Sequence, residues 1–210
     1  MMKNVYELAG KYRGADIWIV AAGPTMDHVD PAFFANKITI GVNQVFVRFR
    51  TDWLVRKETQ LLDKAQESGI PLIASRYNCG SHRLGLNPPA DFVFDHVDNG
   101  LTEIDLSVIE PGSGKIVVSY STITSAMHVA AVMGAANIIL CGHDCGTLDG
   151  RTRMSGYNDP IDGEAFYRKW LGEIAPQTMA VRKKLSEVFD CRVYSLNPFV
   201  GLRMEGHEIW

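Results

Sequence analysis

Apolar residues in this 210-residue chain fall in short dense runs, separated by polar turns or by stretches with helical spacing. "ADIWIVAAG" is apolar except for Asp16, the pattern of a strand buried on both faces, here spanning 16–22. "KITIGVNQVF" predicts a second strand at 37–42, "DWLVRK" a third, "IPLIAS" a fourth and "FVFDH" a short one. "KIVVSY" at 115–120, "NIILCGHD" at 137–142 and "CRVYSLNP" complete the strands.

Between them, "VYELAGKYRG" reads as a short helix closed by Gly14, and "MDHVDPAFFAN" as a short helical connection. "ETQLLDKAQESG" places Leu61, Leu62 and Ala65 on one side and ends at Gly69. "TITSAMHVAAVMG" and "PQTMAVRKKLSEVF" are the remaining helices. Strand–helix alternation with near-continuous apolar strands predicts the α/β class: a Rossmann-like three-layer fold with a mainly parallel sheet.

Two stretches break the rhythm. Residues 77–114, rich in Gly, Pro, Asn and Asp, read as a loop-rich excursion near the sheet edge. Residues 145–170, polar and aromatic with Tyr157, Tyr167 and Trp170, read as a loop forming a lid or acceptor surface. No internal repeat is visible, so 1–210 is expected to form one nucleotide-binding domain.

Composition narrows the partners. Hydrophobic residues make up 46% and charged residues 21%, enough for a full core. The net charge of −3 sets up no basic field for nucleic acid or an anionic membrane. Such a chain can still bind a phosphorylated small molecule through local backbone donors. The longest apolar stretch, "SAMHVAAVMGAANIILCG", carries His128, Gly134 and Asn137, and reads as helix, turn and strand rather than a membrane span. The N-terminal segment lacks an apolar signal-like region, and Cys79, Cys141, Cys145 and Cys191 are scattered. Free thiols and a cytoplasmic location are expected.

In such folds ligands sit beyond the carboxyl ends of the strands. Here those ends carry Gly23-Pro24-Thr25, Asn43-Gln44, Thr122 with Thr124 and Ser125, His143-Asp144, and Asn197-Pro198. Small, hydroxyl and amide residues let main-chain N–H groups approach a phosphate and add side-chain donors. Each end alone is also a normal turn or helix cap. Gly23 is expected to leave the main chain open to a ligand, and His143 and Asp144 are the candidates for acid–base work.

Two tempting motifs carry less. "EPGSGK" precedes a strand, whereas a P-loop follows one. "CGHDC" holds four residues of metal-ligating type, but structural zinc draws two ligand pairs from separate segments and no second pair exists, so no metal site is assigned.

Taken together, four segments resemble the superfamily that joins MptE-like 6-hydroxymethylpterin diphosphokinases to the bacterial sialyltransferases of glycosyltransferase family 42. They are "KYRGADIWIVAAGPT", "ITIGVNQVF", "TITSAMHVAAVMGAANIILCGHD" and "RVYSLNP", in that order over most of the chain. The resemblance implies a Rossmann-like fold that binds a nucleotide-sugar through Gly23, Pro24, Thr25, Asn43, Gln44, Thr124 and Ser125. Ala22 stands where that group often has an asparagine, and Thr122 where some sialyltransferases have an arginine. No histidine in 145–206 matches their catalytic base.

The expected function is therefore a transferase using a nucleotide-activated donor, glycosyltransferase-like, acting on a small-molecule or glycan acceptor. One alternative is a diphosphokinase moving pyrophosphate from ATP to a small alcohol, with Mg²⁺ held by carboxylates such as Asp144. Another is a nucleotide-binding protein without catalysis.

Overall fold

The apolar runs become β2 (Asp16–Val20), β3 (Ile38–Val42), β4 (Trp53–Arg56), β5 (Leu72–Ser75), β6 (Phe92–Phe94), β7 (Asn137–Cys141) and β8 (Arg192–Ser195). A two-residue strand, β1 (Lys3–Asn4), precedes them. In this computed structural model, which describes residues 3–57, 62–77, 90–97, 103–157 and 163–196, with side chains of 163–169 excepted, all eight strands are parallel. Their order is β1-β6-β5-β4-β3-β2-β7-β8.

From β2 the chain builds outward on one side through β3, β4, β5 and β6, then returns and places β7 and β8 on the other side of β2. The topological switch point therefore lies between β2 and β7, where a parallel α/β sheet opens a crevice at its carboxyl edge.

Side chains alternate between two cores, as the two-residue period of a strand requires. Ile17, Ile19, Ile40, Val42, Val55, Ile73, Ile138 and Leu140 face α2 (Thr122–Val132) and α3 (Gly163–Phe189). Val20, Leu54, Leu72, Ala74 and Cys141 face α1 (Leu62–Glu67) and the 3₁₀ turns at 24–28, 31–34 and 45–47. The result is a Rossmann-like three-layer α/β fold in which short turns do much of the covering on one face.

Three expectations need correction. Residues 115–120 are not a strand: only Lys115 bridges Asp95, beyond the two residues of β6 that β1 already occupies. The buried backbone that follows is satisfied by side chains instead of a ladder. Val117 donates its N–H to His128 Nδ1 (3.2 Å) and accepts from Ser125 Oγ (2.8 Å), while Lys57 Nζ donates to the carbonyls of Ser119 and Tyr120.

The second correction concerns the loop expected at 145–170, because 163–170 already belongs to α3. That helix starts at Gly163 and carries Pro176 in its interior, rather than starting at Pro176. Proline removes one N–H and disfavours a continued helix, but the buried face formed by Ile174, Ala175, Val181 and Leu185 holds the helix through it. Third, within 5–14 only Val5–Leu8 is helical, a 3₁₀ turn of four residues opened by an Asn4–Glu7 capping box, and the rest is turn.

Among the described residues no helix is long and apolar enough to cross a membrane.

Candidate functional site

The carboxyl edge at the switch point brings together the ends of β2 and β7. Gly23 donates its N–H to the Gly142 carbonyl (2.8 Å), so the two loops are joined rather than splayed. A Cβ on Gly23 would overlap that carbonyl and the Asp144 carboxylate. The glycine is thus required by protein packing.

Pro24 begins the 3₁₀ turn 24–28, and Thr25 gives its N–H to Asp144 Oδ2 (2.9 Å) and its hydroxyl to Asp144 Oδ1 (2.6 Å). Asp144 is buried, and burial pushes its carboxyl above the ordinary range while the two Thr25 hydrogen bonds pull it partly back. His143 points away from that pair. Its Nε2 lies 2.8 Å from Thr178 Oγ1 on α3 and 3.4 Å from Cys145 Sγ. Full burial drives the imidazole down to about 3, so it is neutral at physiological pH. Burial, then the neighbouring Asp144 charge, raises the Cys145 thiol.

The side chains of "CGHDC" therefore part company, except that Cys145 stays beside His143: Cys141 packs in the second core, Asp144 serves Thr25, and His143 turns to α3. Cys141, Cys145 and Cys191 are free and buried, and Cys79 lies outside the described residues.

One strand over, Asn43 ends β3 in the left-handed region (φ 56°), a conformation asparagine tolerates better than most residues. Its Oδ1 accepts from Thr122 Oγ1 (2.9 Å), which ties β3 to the first turn of α2. Ser121 caps that helix through Ile123 N–H (3.3 Å). Gln44 is buried beside Asn43. Thr124 and Ser125, expected to face a phosphate, point inward. Thr124 Oγ1 meets Ser119 Oγ (2.8 Å) and the Ser121 carbonyl (2.9 Å), and Ser125 bonds Val117. Both are fully buried. Asn197 and Pro198 lie outside the described residues.

The edge also holds residues that the strand-end reading passed over. Arg56 and Lys57 close β4 and are buried, and Lys57 places its ammonium against the two carbonyls immediately before α2. Sequence alone hid them because a cation after an apolar run reads as a solvated strand end. Tyr120, the second of Lys57's contacts and the residue before the cap, stacks on Trp170 of α3 with ring centroids 4.2 Å apart and planes at 20°.

Over the end of β2 lies the segment 145–157. It starts with a two-residue hairpin in which Leu148 and Arg151 exchange both backbone hydrogen bonds around Asp149-Gly150, each with positive φ. Asp-Gly is the pair this turn demands, and it stands in the sequence as a signal that was available. Asp27 then fastens the segment. Its carboxylate accepts from Arg151 Nη1 (2.6 Å), Ser155 N–H (2.9 Å), Ser155 Oγ (2.9 Å) and Arg48 Nη1 (3.0 Å). Burial works to raise this carboxyl, but the hydrogen bonds from Ser155 and Arg151 outweigh it and hold it below the usual range. Met154 N–H reaches the Ala22 carbonyl (2.8 Å), and its side chain is buried.

Fold and site together define an α/β protein in which Thr25 and Asp144 join the loops at the switch point, segment 145–157 is strapped over the end of β2, and Asn43 meets Thr122 one strand over. Compared with protein-family models, curated proteins and solved structures, the chain matches none of them.

Proposed function

We propose that the chain is a transferase that takes a nucleotide-activated donor at the carboxyl edge of its sheet, glycosyltransferase-like in organisation. One arrangement carries this reading: the first turn of α2, the Asn43–Thr122 hydrogen bond and the Lys57 ammonium meet at the carboxyl ends of β3 and β4. The N-terminal end of a helix carries partial positive charge, and Lys57 adds a cationic group close by. An anionic diphosphate or phosphate there is favoured by both, and so is the negative charge that develops on a departing nucleotide.

The resemblance to the MptE-like and family 42 transferases supports the same placement of Asn43 and Gln44. In this reading Asn43 and Thr122 contact the phosphoryl oxygens, while Thr25 and Asp144 keep the β2 and β7 loops in register. Both oxygens of Asp144 already accept from Thr25, which favours a positioning role over metal binding and ranks the Mg²⁺-dependent diphosphokinase second.

A thermal-shift screen of nucleotides and nucleotide-sugars, with and without Mg²⁺, tests the proposal. A ligand of the native state at a hundredfold excess over Kd stabilises it by about 2.7 kcal/mol, or roughly 5–10 °C for a chain of this size. A flat response to every nucleotide and nucleotide-sugar would sink the reading. A shift that appears only with ATP and Mg²⁺ would move it to the diphosphokinase.

A further inference from the structure

Tyr120 sits at an unusual convergence of buried polar groups. Its backbone N–H donates to Gln177 Oε1 (3.1 Å), and its carbonyl accepts from Lys57 Nζ (2.8 Å). Gln177 and Lys57 are both buried, so two costly interior side chains hold one residue from below. Tyr120 is partly exposed and its ring is stacked in near-parallel fashion on the partly exposed Trp170. The next residue, Ser121, is the cap of α2.

A rigidly mounted, partly exposed aromatic pair is what a flat ligand ring requires, because little side-chain freedom remains to be lost on binding. We infer that Tyr120 and Trp170 form a stacking platform for the planar base of a nucleotide, a conclusion that rests on the phosphate placement proposed above. The base lies against the aromatic pair while the phosphates lie at the first turn of α2. Stacking of this kind tolerates any base, since each has a π-face, so the platform supplies affinity while other contacts choose among nucleotides. Burial, and then the negative charge of Glu173, raise the Tyr120 phenol, so it stays un-ionised and its ring keeps a neutral face at physiological pH.

Titration calorimetry of the full chain with four probes separates the two halves of the site: ATP, CTP, tripolyphosphate (the anion without a ring) and adenosine (the ring without an anion). Wild type is expected to bind ATP and CTP more tightly than tripolyphosphate. Tyr120→Ala should weaken ATP and CTP about fivefold or more, the loss expected for one stacked base, and leave tripolyphosphate unchanged. Tyr120→Phe, which keeps the ring, should match wild type, and guards against a folding defect in the alanine variant. ATP is expected to quench the tryptophan fluorescence of wild type, and Trp170→Phe should remove that quenching.

If ATP binds no more tightly than tripolyphosphate, or if Tyr120→Ala weakens both equally, the platform is overturned while the phosphate reading stands. If adenosine binds as tightly as ATP, tripolyphosphate does not bind, and Tyr120→Ala abolishes adenosine binding, the platform stands and the phosphate placement falls. Binding of none of the four to wild type overturns both.

Discussion

Thr25 gives both its backbone N–H and its hydroxyl to the two carboxylate oxygens of Asp144, 119 residues further along the chain. That pair closes the crevice between β2 and β7 and decides how the two loops behave under mutation. Removing the carboxylate leaves two donors in a buried place, each costing about 1–3 kcal/mol. Asp144→Ala is therefore expected to lose roughly 2–4 kcal/mol in urea unfolding. Asp144→Asn can accept from the Thr25 N–H and donate to its hydroxyl, and should lose less than half as much. Equal losses in the two variants would show that the hydrogen bonds are not what the carboxylate contributes.

Gly23→Ala should be costly although it adds a single methyl. The new Cβ runs into the Gly142 carbonyl and the Asp144 carboxylate, and a backbone atom cannot step aside as a side chain does. A drop of about 2 kcal/mol or more is expected, with loss of any nucleotide binding as the loops part. A fully stable Gly23→Ala protein would mean that the loops are not held together in solution.

Two of the buried histidines make stability fall on the acid side. His128 and His143 are both driven down to about 3 from an ordinary value near 6.5 by burial. A base with a depressed folded value takes up its proton mainly in the unfolded chain, so its contribution is complete above about 6.5 and is lost as pH falls towards 3. Each should contribute a slope of about 1.4 kcal/mol per pH unit across that window. Urea unfolding at three pH values between 7 and 5 reads the slope, and His128→Gln should reduce it by about half. A slope that His128→Gln leaves unchanged counts against this account.

Asp27 holds the strap, and its carboxyl is lowered, so its contribution is present above the ordinary carboxylate range and is lost as pH falls through the depressed folded value. Asp27→Ala removes the acceptor for Arg151, Ser155 and Arg48 at once. Trypsin is expected to cut the chain after Arg151 or Arg153 about tenfold faster in the variant, while the melting temperature moves little, because local opening is cheaper than global unfolding. Unchanged cleavage would show that the strap is held by something else, such as Met154.

Lys57→Met keeps the aliphatic stem but leaves the carbonyls of Ser119 and Tyr120 without their buried donor. A loss of about 3 kcal/mol is expected in thermal or urea unfolding, and the Tyr120–Trp170 pair should loosen, visible as a change in near-ultraviolet circular dichroism. A stable variant with an unaltered spectrum would place the support of Tyr120 on Gln177 alone.

What the sequence by itself determined was the class of fold and most of the strands. β2, β3, β4, β5, β6 and β7 each coincide with an apolar run, because burial leaves a local signature that needs no knowledge of neighbours, whereas the edge strand β8 buries Val193 between the exposed Arg192 and Tyr194. The stretch 115–120 has the same signature, yet it lies outside the ladder. Hydrophobicity reports that a segment is buried, whereas pairing depends on whether a strand edge is free, and β1 takes part of the β6 edge. The hydroxyls of Thr124 and Ser125 were legible as donors, but the direction of Ser125 was decided by the Val117 carbonyl left by that missing ladder, and that of Thr124 by the Ser119 hydroxyl and the Ser121 carbonyl. Thr25 and Asp144 were each legible at a strand end, and only the tertiary structure turned them towards each other. Residue type and periodicity are local properties of the chain. Which polar group meets which is settled by long-range packing, where every buried donor and acceptor must find a partner.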